Sequence, residues 1–296
     1  MKREPRWLVL SLVLLPLAVG ALLLLLDRVT DGAVFAGSRT VGLVRVEDVI
    51  LSSERTISLL REYRDDSQIA GVVLRLESPG GAVAPSQEIY REVMRFRESG
   101  KPIVASMGSV AASGAYYIAC AADRIFASPG TITGSIGVIL RLSRWYRLFG
   151  KIGIEMETLK TGKYKDVGSP DREMTPEERR YLQGVIDDTY EQFVADVAAG
   201  RARQADSVRA LADGRVYTGR QALAVGLVDT LGGLQDAVQY VRDRTGLPDK
   251  AKVHERRPRR PFWWDMIPAD LLRRSAETVE RTLYPAGIYY LYADGL

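Results

Sequence analysis

The chain has 296 residues, of which 46% are hydrophobic and 26% are charged, and its net charge is +4. This composition is ordinary for one or two globular domains, and so small a charge excludes a nucleic-acid binder held by overall charge. The single cysteine, Cys120, excludes an internal disulfide and a cysteine-rich zinc site. The single histidine, His254, excludes an HExxH metalloprotease, and its position in a run of arginines disfavours a Ser-His-Asp triad. A hydrolase of this sequence would therefore take its base from Lys, Asp or Glu.

The N-terminal region contains an uncharged apolar run, residues 7–26, that is long enough to cross a bilayer as a helix. Residues 1–6 before it are basic, so the positive-inside rule places them in the cytoplasm and the rest of the chain outside. A cleaved signal peptide is the alternative, but its apolar core is usually only about 7–15 residues long. The sequence predicts a single-pass anchor in the cytoplasmic membrane, an extracytoplasmic domain at 27–250 and a basic, aromatic tail at 251–296.

From residue 41 to residue 246, short β-rich runs alternate with runs whose apolar residues recur at helical spacing. Such alternation predicts an α/β fold with largely parallel strands. The predicted strands are 41–46, 71–76, 102–107, 124–127, 136–140 and 154–159. The predicted helices are 55–64, 87–97, 111–122, 175–199 and a last helix after Gly233.

Small residues surround Ser113 at the point where the third predicted helix should begin. The amide of Gly114 would then lie at a helix N-terminus, where developing negative charge is best stabilised. Judged on the local residues alone, Ser113 could equally be a helix cap, and Ser109 is a rival nucleophile on the same loop.

Three further segments could contribute to acyl transfer. The glycine pair that ends at Gly81 has amides that could donate to an oxyanion, although an ordinary turn is the alternative. Ser135 lies in a glycine-bounded turn that needs no chemical role. Lys165 shares its loop with Lys160 and Lys163, and loop lysines are usually solvated charges.

Together and in this order, the segments SPGGAV, GSVAASGAYYIA, TGSIGV, GKYKDVGSPDREMT and VYTGRQALAVGLVDTLGG resemble the signal peptide peptidase A family. The resemblance is to its short bacterial form, and it implies an α/β fold of stacked β-β-α units, as in the ClpP/crotonase superfamily. It implies a serine endopeptidase with Ser113 as nucleophile and Lys165 as general base, and with no metal or cofactor. It also implies oxyanion donors at Gly81 and Gly114, and a lysine-orienting hydroxyl at Ser135.

One residue departs from the pattern of the family. Glu77 stands where the family more often has a small polar residue such as Asn. Because Glu77 lies beside the predicted oxyanion loop, we expect it to influence substrate preference and not to abolish catalysis.

The resemblance also implies a substrate and an assembly. The expected substrates are apolar peptides, namely remnant signal peptides met at the membrane surface. The expected assembly is a ring-like homo-oligomer, an octamer, with Ser113 and Lys165 in one subunit and a neighbour completing the groove. We further hypothesise that residues 286–296 lie in this groove as a self-inhibitory peptide, and that residues 255–274 either contact the membrane or form a solvated tail.

Three alternatives remain open at this stage. The first is a related Ser-Lys protease that cuts a membrane protein. The second is a catalytically inactive crotonase-like scaffold that binds peptides. The third is an acyl-CoA enzyme of the crotonase fold, which the outward topology disfavours because CoA is cytoplasmic.

Overall fold

A computed structural model describes residues 39–256 and the backbone of residues 287–291. The predicted anchor at 7–26 and most of the predicted tail lie outside the described residues. Within the part that is described, no helix has the length and apolar character needed to span a bilayer.

The strands of the described residues are short except for three in the centre of the fold. They are β1 (Thr40–Glu47), β2 (Ile69–Ser78), β3 (Gly80–Ala82), β4 (Ile103–Ala112), β5 (Arg124–Ala127), β6 (Ile132–Gly134), β7 (Ile139–Arg141), β8 (Val216–Thr218), β9 (Thr230–Leu231), β10 (Val253–Glu255) and β11 (Gly287–Leu291).

The helices lie between these strands and vary widely in length. They are α1 (Glu54–Asp65), α2 (Val83–Glu98), α3 (Gly114–Ala119), α4 (Tyr146–Ile152), α5 (Pro176–Gly200), α6 (Ala205–Arg209), α7 (Gly219–Ala224) and α8 (Leu234–Thr245).

The main sheet is parallel along its whole central path, in the order β10, β1, β2, β4, β5, β9. β6 pairs in parallel with the last residues of β4 and antiparallel with β8. Helices cover both faces of the sheet, which explains why β1 and β2 are nearly continuous runs of buried residues. The predicted α/β fold with a largely parallel sheet is therefore confirmed.

Two hydrophobic clusters lie on opposite faces of the main sheet. The larger cluster joins the sheet to α1, α2, α3 and α5, and it includes Leu60, Leu74, Phe96, Tyr117 and Phe193. The smaller cluster joins the sheet to α8, and it includes Val73, Val104 and Val241. Each such side chain contributes about 1.5–3 kcal/mol when it is fully buried, so β4 and α3 belong to a rigid framework.

A second, antiparallel sheet of three strands has the order β3, β11, β7. β11 pairs with β3 through Tyr290, which lies opposite Gly81, and with β7 through Ile288, which lies opposite Leu140. A strand from the C-terminal tail therefore joins two short strands that are far from it in sequence.

Three predicted elements differ from the structure. The predicted helix at 111–122 begins only at Gly114, because β4 continues to Ala112. The predicted strand at 136–140 is present only at its end, because β6 stops at Gly134 and β7 begins at Ile139. The predicted strand at 154–159 is wrong, since those residues are exposed and have no regular structure.

Candidate active site

Ser113 lies at the sharp turn between the end of β4 and the start of α3. Its backbone has φ 54° and ψ −114°, a conformation that non-glycine residues rarely adopt and that costs about 1–3 kcal/mol. The Ser113 amide donates to the carbonyl of Gly134 at 2.8 Å, and the Ser113 carbonyl accepts from the amide of Tyr117 at 2.8 Å. The side chain of Ser113 makes no capping hydrogen bond to α3, so the helix-cap alternative fails.

The hydroxyl of Ser113 is buried without a partner. Only 1% of the residue is exposed, and its Oγ has no hydrogen bond within the described part of the chain. An unsatisfied buried hydroxyl costs about 1–3 kcal/mol, so the fold retains an unfavourable group at a strained position. Its rival Ser109 is exposed and does not share the positive φ. Both observations favour Ser113 as the reactive serine.

The two predicted oxyanion donors lie on neighbouring elements, since β3 packs against α3. Gly114 is the first residue of α3, where an amide has no partner within the helix. On β3, the Gly80 carbonyl and the Ala82 amide both bond to Ile50, at 2.9 and 2.8 Å. Because successive peptide groups of a strand face opposite edges, the Gly81 amide faces the other edge, where β11 pairs.

Only glycine fits at position 81. A Cβ atom there would lie 2.1 Å from the carbonyl oxygen of Ile50. The close approach between Gly81 and Ile50 therefore fixes the edge of β3 that faces β11.

Ser135 lies at the same end of the main sheet as Ser113. It is buried, has φ 51° and donates its amide to the carbonyl of Arg215 at 2.9 Å. The preceding residue is Gly134, whose carbonyl accepts from Ser113. The structure therefore brings the turn that carries Ser135 into direct backbone contact with the predicted nucleophile.

Lys165 is not brought to Ser113 in the described chain. It lies in an exposed turn before α5, and its side chain makes no ion pair or hydrogen bond with any described residue. A buried hydroxyl and an exposed amine thus remain separate within one copy.

The two rival lysines are both held by carboxylates. Lys160 forms an ion pair with Asp166, and Lys163 forms one with Glu177. The hydrogen bond from Lys163 to Glu177 raises the pKa of Lys163, which keeps its amine protonated and so unavailable as a base. The ion pairs therefore favour Lys165 over its neighbours as the free amine of the loop.

The residues on either side of Lys165 are anchored to α5. Tyr164 donates its hydroxyl to Glu177 at 2.8 Å and stacks on Tyr181 with ring centroids 4.7 Å apart. Asp166 accepts from Arg172, at 2.8 Å from its Nε. Arg172 in turn donates to Glu178 at 2.9 Å, which joins the loop to the first turn of α5.

The segment that leads to Lys165 exposes large apolar side chains. No residue of α4 is buried. Side chains that are at least 46% exposed follow one another along the segment, namely Trp145, Leu148, Ile152, Ile154, Met156 and Leu159. Contiguous apolar exposure of this kind is typical of a surface that a partner covers.

Sequence reasoning missed two threonines that hold the end of β4. One, Thr133, is in β6, and the other, Thr131, is in the loop before it. Thr131 donates its hydroxyl to the carbonyl of Gly108, and Thr133 donates to the carbonyl of Ala111, each at 2.7 Å. Both hydroxyls are buried, and both threonines belong to the segment in which only Ser135 was singled out. The signal in the sequence that points to this role is the position of both threonines among residues that favour strands.

Residues 95–247 match the sequence profile of peptidase family S49. A putative protease of Synechocystis sp. is 44% identical over 218 residues, which cover 73% of this chain and 78% of that protein. The putative signal peptide peptidase SppA of Enterococcus faecium is 37% identical over 67% of this chain and 57% of its own length.

A chloroplastic serine protease of Arabidopsis thaliana, named SPPA, is 35% identical over 217 residues. The match covers 73% of this chain but only 32% of the plant protein, so the shared region is one part of a longer relative. Ser113, Gly114, Ser135 and Lys165 all lie inside the matched region of the family. The chain belongs to peptidase family S49, the signal peptide peptidase A family, and it is a peptidase.

Proposed function

We propose that this peptidase is a serine endopeptidase with a Ser-Lys dyad, in which Ser113 is the nucleophile and Lys165 is the general base. The observation that carries the proposal is the Ser113 hydroxyl, which is buried, unpartnered and held on a strained backbone between β4 and α3. Strain and an unsatisfied polar group are retained at functional sites, where the surrounding structure supports them.

In the proposed reaction the Ser113 Oγ attacks the carbonyl carbon of the scissile peptide bond while its proton passes to the neutral amine of Lys165. The carbonyl oxygen develops a negative charge and accepts hydrogen bonds from the amides of Gly114 and Gly81. Collapse of the tetrahedral intermediate breaks the C–N bond, and Lys165 returns the proton to the leaving amine. A water activated by Lys165 then hydrolyses the acyl-enzyme on Ser113.

Ser135 is proposed to orient the lysine. Its turn is tied to Ser113 through Gly134 and to the Arg215 backbone, so its position relative to the nucleophile is fixed. A hydroxyl at that place would accept from or donate to the incoming amine and aim it at Ser113. This role would follow from rigid placement and not from any acidity of Ser135.

The exposure of Lys165 bears on how the dyad is completed. An amine acts as a base only when it is unprotonated, and burial favours the neutral form. Tyr164 and Asp166 are anchored to α5 and its flank, which restrains the loop in a position where Lys165 is exposed and makes no hydrogen bond to Ser113 of its own copy. We therefore propose that a neighbouring copy in a homo-oligomer covers the apolar segment 145–159 and meets Lys165. The proposed homo-oligomer is the octamer that the resemblance implies, and its subunits have the ClpP/crotonase-like fold that the resemblance also implies.

The proposed substrates are apolar peptides, and in particular remnant signal peptides at the membrane surface. A peptide in extended conformation could pair with β3 and β7 in the place that β11 occupies, which is the usual mode of recognition by strand addition. Its scissile carbonyl would then lie at the edge that the Gly81 amide faces. The predicted anchor at 7–26 would hold the domain next to such peptides on the outer side of the cytoplasmic membrane.

The test is hydrolysis of a fluorogenic apolar peptide by the full chain in detergent, compared across Ser113→Ala, Lys165→Ala and Lys163→Ala. We expect activity to fall by at least about a thousandfold in the first two variants, because the nucleophile and its base act as a unit. Lys163→Ala should remain active, since its amine is bound to Glu177.

A fluorophosphonate probe separates the remaining outcomes. Labelling of the wild type that Ser113→Ala abolishes would support the assignment of the nucleophile. Activity that survives Ser113→Ala would mean that another serine reacts. A wild type that neither cleaves nor labels would favour the inactive peptide-binding scaffold, whereas cleavage of a membrane protein and not of free peptides would favour the related membrane-protein protease.

A further inference from the structure

β4 contains two extra residues just before it reaches Ser113. Leu76 of β2 pairs with Met107 of β4, and the next pair is Ser78 with Ala111. One residue of β2, Glu77, therefore lies opposite the three residues 108–110 of β4. An insertion of this kind leaves backbone N–H groups without their partners in the ladder, and such groups need other acceptors.

The side chain of Glu77 supplies those acceptors. Its Oε2 accepts from the amide of Ser109 at 2.9 Å, and its Oε1 accepts from the amide of Val110 at 3.1 Å. The carboxylate thus takes two consecutive amides of the bulge, one on each oxygen. The next residues along β4 lead directly to the turn that carries Ser113.

Two further contacts fix the same bulge. Thr131 donates to the carbonyl of Gly108 at 2.7 Å from the opposite side. Gly108 is required for the approach of the carboxylate, because a Cβ atom there would lie 1.6 Å from Glu77 Oε2. The bulge is therefore held between a carboxylate on β2 and a hydroxyl that precedes β6.

We propose that Glu77 is a positioning residue of the proposed peptidase: its carboxylate fixes the bulge of β4 and thereby sets the place of the Ser113 hydroxyl. The inference rests on the proposed function for its catalytic consequence. It differs from the sequence-based expectation, in which Glu77 influences substrate preference, because both oxygens of Glu77 bond to the strand that leads to the nucleophile.

The role requires a carboxylate and not merely a polar side chain. An ionised carboxylate only accepts hydrogen bonds and has two oxygens, so it can serve two N–H donors at once. Glutamine has the same length, but its NH2 group would face one of the two amides. Glu77→Gln therefore removes one acceptor and introduces a donor opposite a donor.

The experiment measures kcat and KM on the fluorogenic peptide, together with hydrogen–deuterium exchange of the peptide that spans residues 105–116. In Glu77→Gln we expect kcat to fall about tenfold or more with KM little changed, because a small displacement of the nucleophile affects the reacting geometry. Exchange should rise at the amides of Ser109 and Val110 and nowhere else in the main sheet. Glu47→Gln is the matched control, since Glu47 pairs in register with Glu77 but is exposed and belongs to β1, which has β10 and β2 and not β4 as its neighbours.

Gly108→Ala provides a second variant that leaves Glu77 intact. Its methyl group would take the place of the carboxylate oxygen, so it should reproduce the loss of kcat and the local exchange. The double variant should then lose little more than either single variant, since both remove the same contact.

Wild-type kcat in Glu77→Gln, or unchanged exchange at the two amides, would overturn the proposal. Exchange that rises across the whole sheet would also overturn it, because Glu77 would then support the fold in general. A wild type without peptidase activity would count against the proposed function alone, since the exchange measurement tests the contact between Glu77 and the bulge independently of activity.

Discussion

The amide of Ser113 donates a hydrogen bond to the carbonyl of Gly134, 2.8 Å away, and so joins the end of β4 to the turn that carries Ser135. Both serines have positive φ and both are buried. One hydrogen bond thus links the two turns of strained backbone, and each turn restrains the position of the other. The predicted nucleophile and the predicted lysine-orienting hydroxyl therefore form one structural unit.

Gly134→Ala should disrupt this unit. Gly134 has φ 77°, and a Cβ atom there would lie 2.6 Å from Cδ2 of the Tyr217 ring. The backbone must shift, which costs about 1–3 kcal/mol, and the carbonyl that receives the Ser113 amide moves with it. We expect peptidase activity to fall at least about tenfold, with a lower midpoint of thermal unfolding.

Gly130→Ala is the control for this change, since a Cβ atom at position 130 meets nothing within 4 Å. It lies in the turn that leads to β6 and should leave both activity and unfolding near wild type. A Gly134→Ala enzyme with full activity would contradict the coupling between the two turns.

A second prediction concerns the separation of Ser113 and Lys165. If a neighbouring copy supplies the lysine, a mixed oligomer of Ser113→Ala and Lys165→Ala subunits contains some sites with both functional residues. Random assembly of equal amounts should restore about a quarter of wild-type activity in a heterologous ring. The two chains would be co-expressed with different tags and purified through both before the peptide assay.

Each variant expressed alone is the control for the mixture and should remain inactive. A mixed oligomer that is also inactive would support the original expectation that both residues act within one subunit. In that case the loop from Lys160 to Arg172 must move toward Ser113 of its own copy when substrate binds.

How well the sequence predicts a feature of this site depends on how far apart in the sequence the residues that determine it lie. The strands β1 and β5 and the start of α5 follow from local patterns, and the structure has them close to the predicted places. The bulge of β4 depends on which residue of β2 lies opposite it. No local sequence pattern indicates how these two strands pair. The three-residue stretch opposite Glu77 was therefore not predicted.

The same reasoning explains two other results. The run at 154–159 alternates like a strand, yet strand formation requires a neighbouring strand, and none of the described residues pairs with it. The pairing of β11 with β3 joins residues separated by more than two hundred positions, which periodicity cannot indicate. The groove hypothesis for residues 286–296 rests on their apolar, extended character alone.

The ion pairs around Lys165 make a third prediction, on acid stability. Arg172 lowers the pKa of Glu178 to about 2, with help from the amide of Thr175. Arg172 and then Lys160 also lower the pKa of Asp166. A carboxylate whose pKa is depressed by folding stabilises the fold above its unfolded value of 4.5 for Glu or 3.8 for Asp, and this stabilisation is lost as the pH falls toward the folded value.

The measurement compares the wild type with Arg172→Gln between pH 7 and pH 2. At pH 7 the wild type should unfold at the higher temperature and should protect the loop 160–172 better from hydrogen exchange. This advantage should shrink as the pH falls below about 4.5. Arg179→Gln, at an exposed position in the first turn of α5, should show no such dependence. A difference that stays constant over this pH range would show that Arg172 acts through packing alone.

The fourth prediction concerns the tail strand β11. It pairs with β3 at the edge that the Gly81 amide faces, and it pairs with β7 on its other side. A strand tethered to its own groove competes with free peptides at an effective concentration in the millimolar range. Deletion of residues 286–296 should therefore raise the rate of peptide hydrolysis at low substrate concentration by about tenfold or more, mainly through a lower KM.

Deletion of residues 292–296 alone is the matched control, because it shortens the tail and leaves β11 in place. This variant should hydrolyse the peptide at the wild-type rate, and a synthetic peptide of residues 286–296 should inhibit the longer deletion competitively. Unchanged activity in the longer deletion would rule out self-inhibition. Lower activity with a lower unfolding temperature would instead mean that β11 supports β3 and β7 as part of the fold, so that substrates must bind beside it and not in its place.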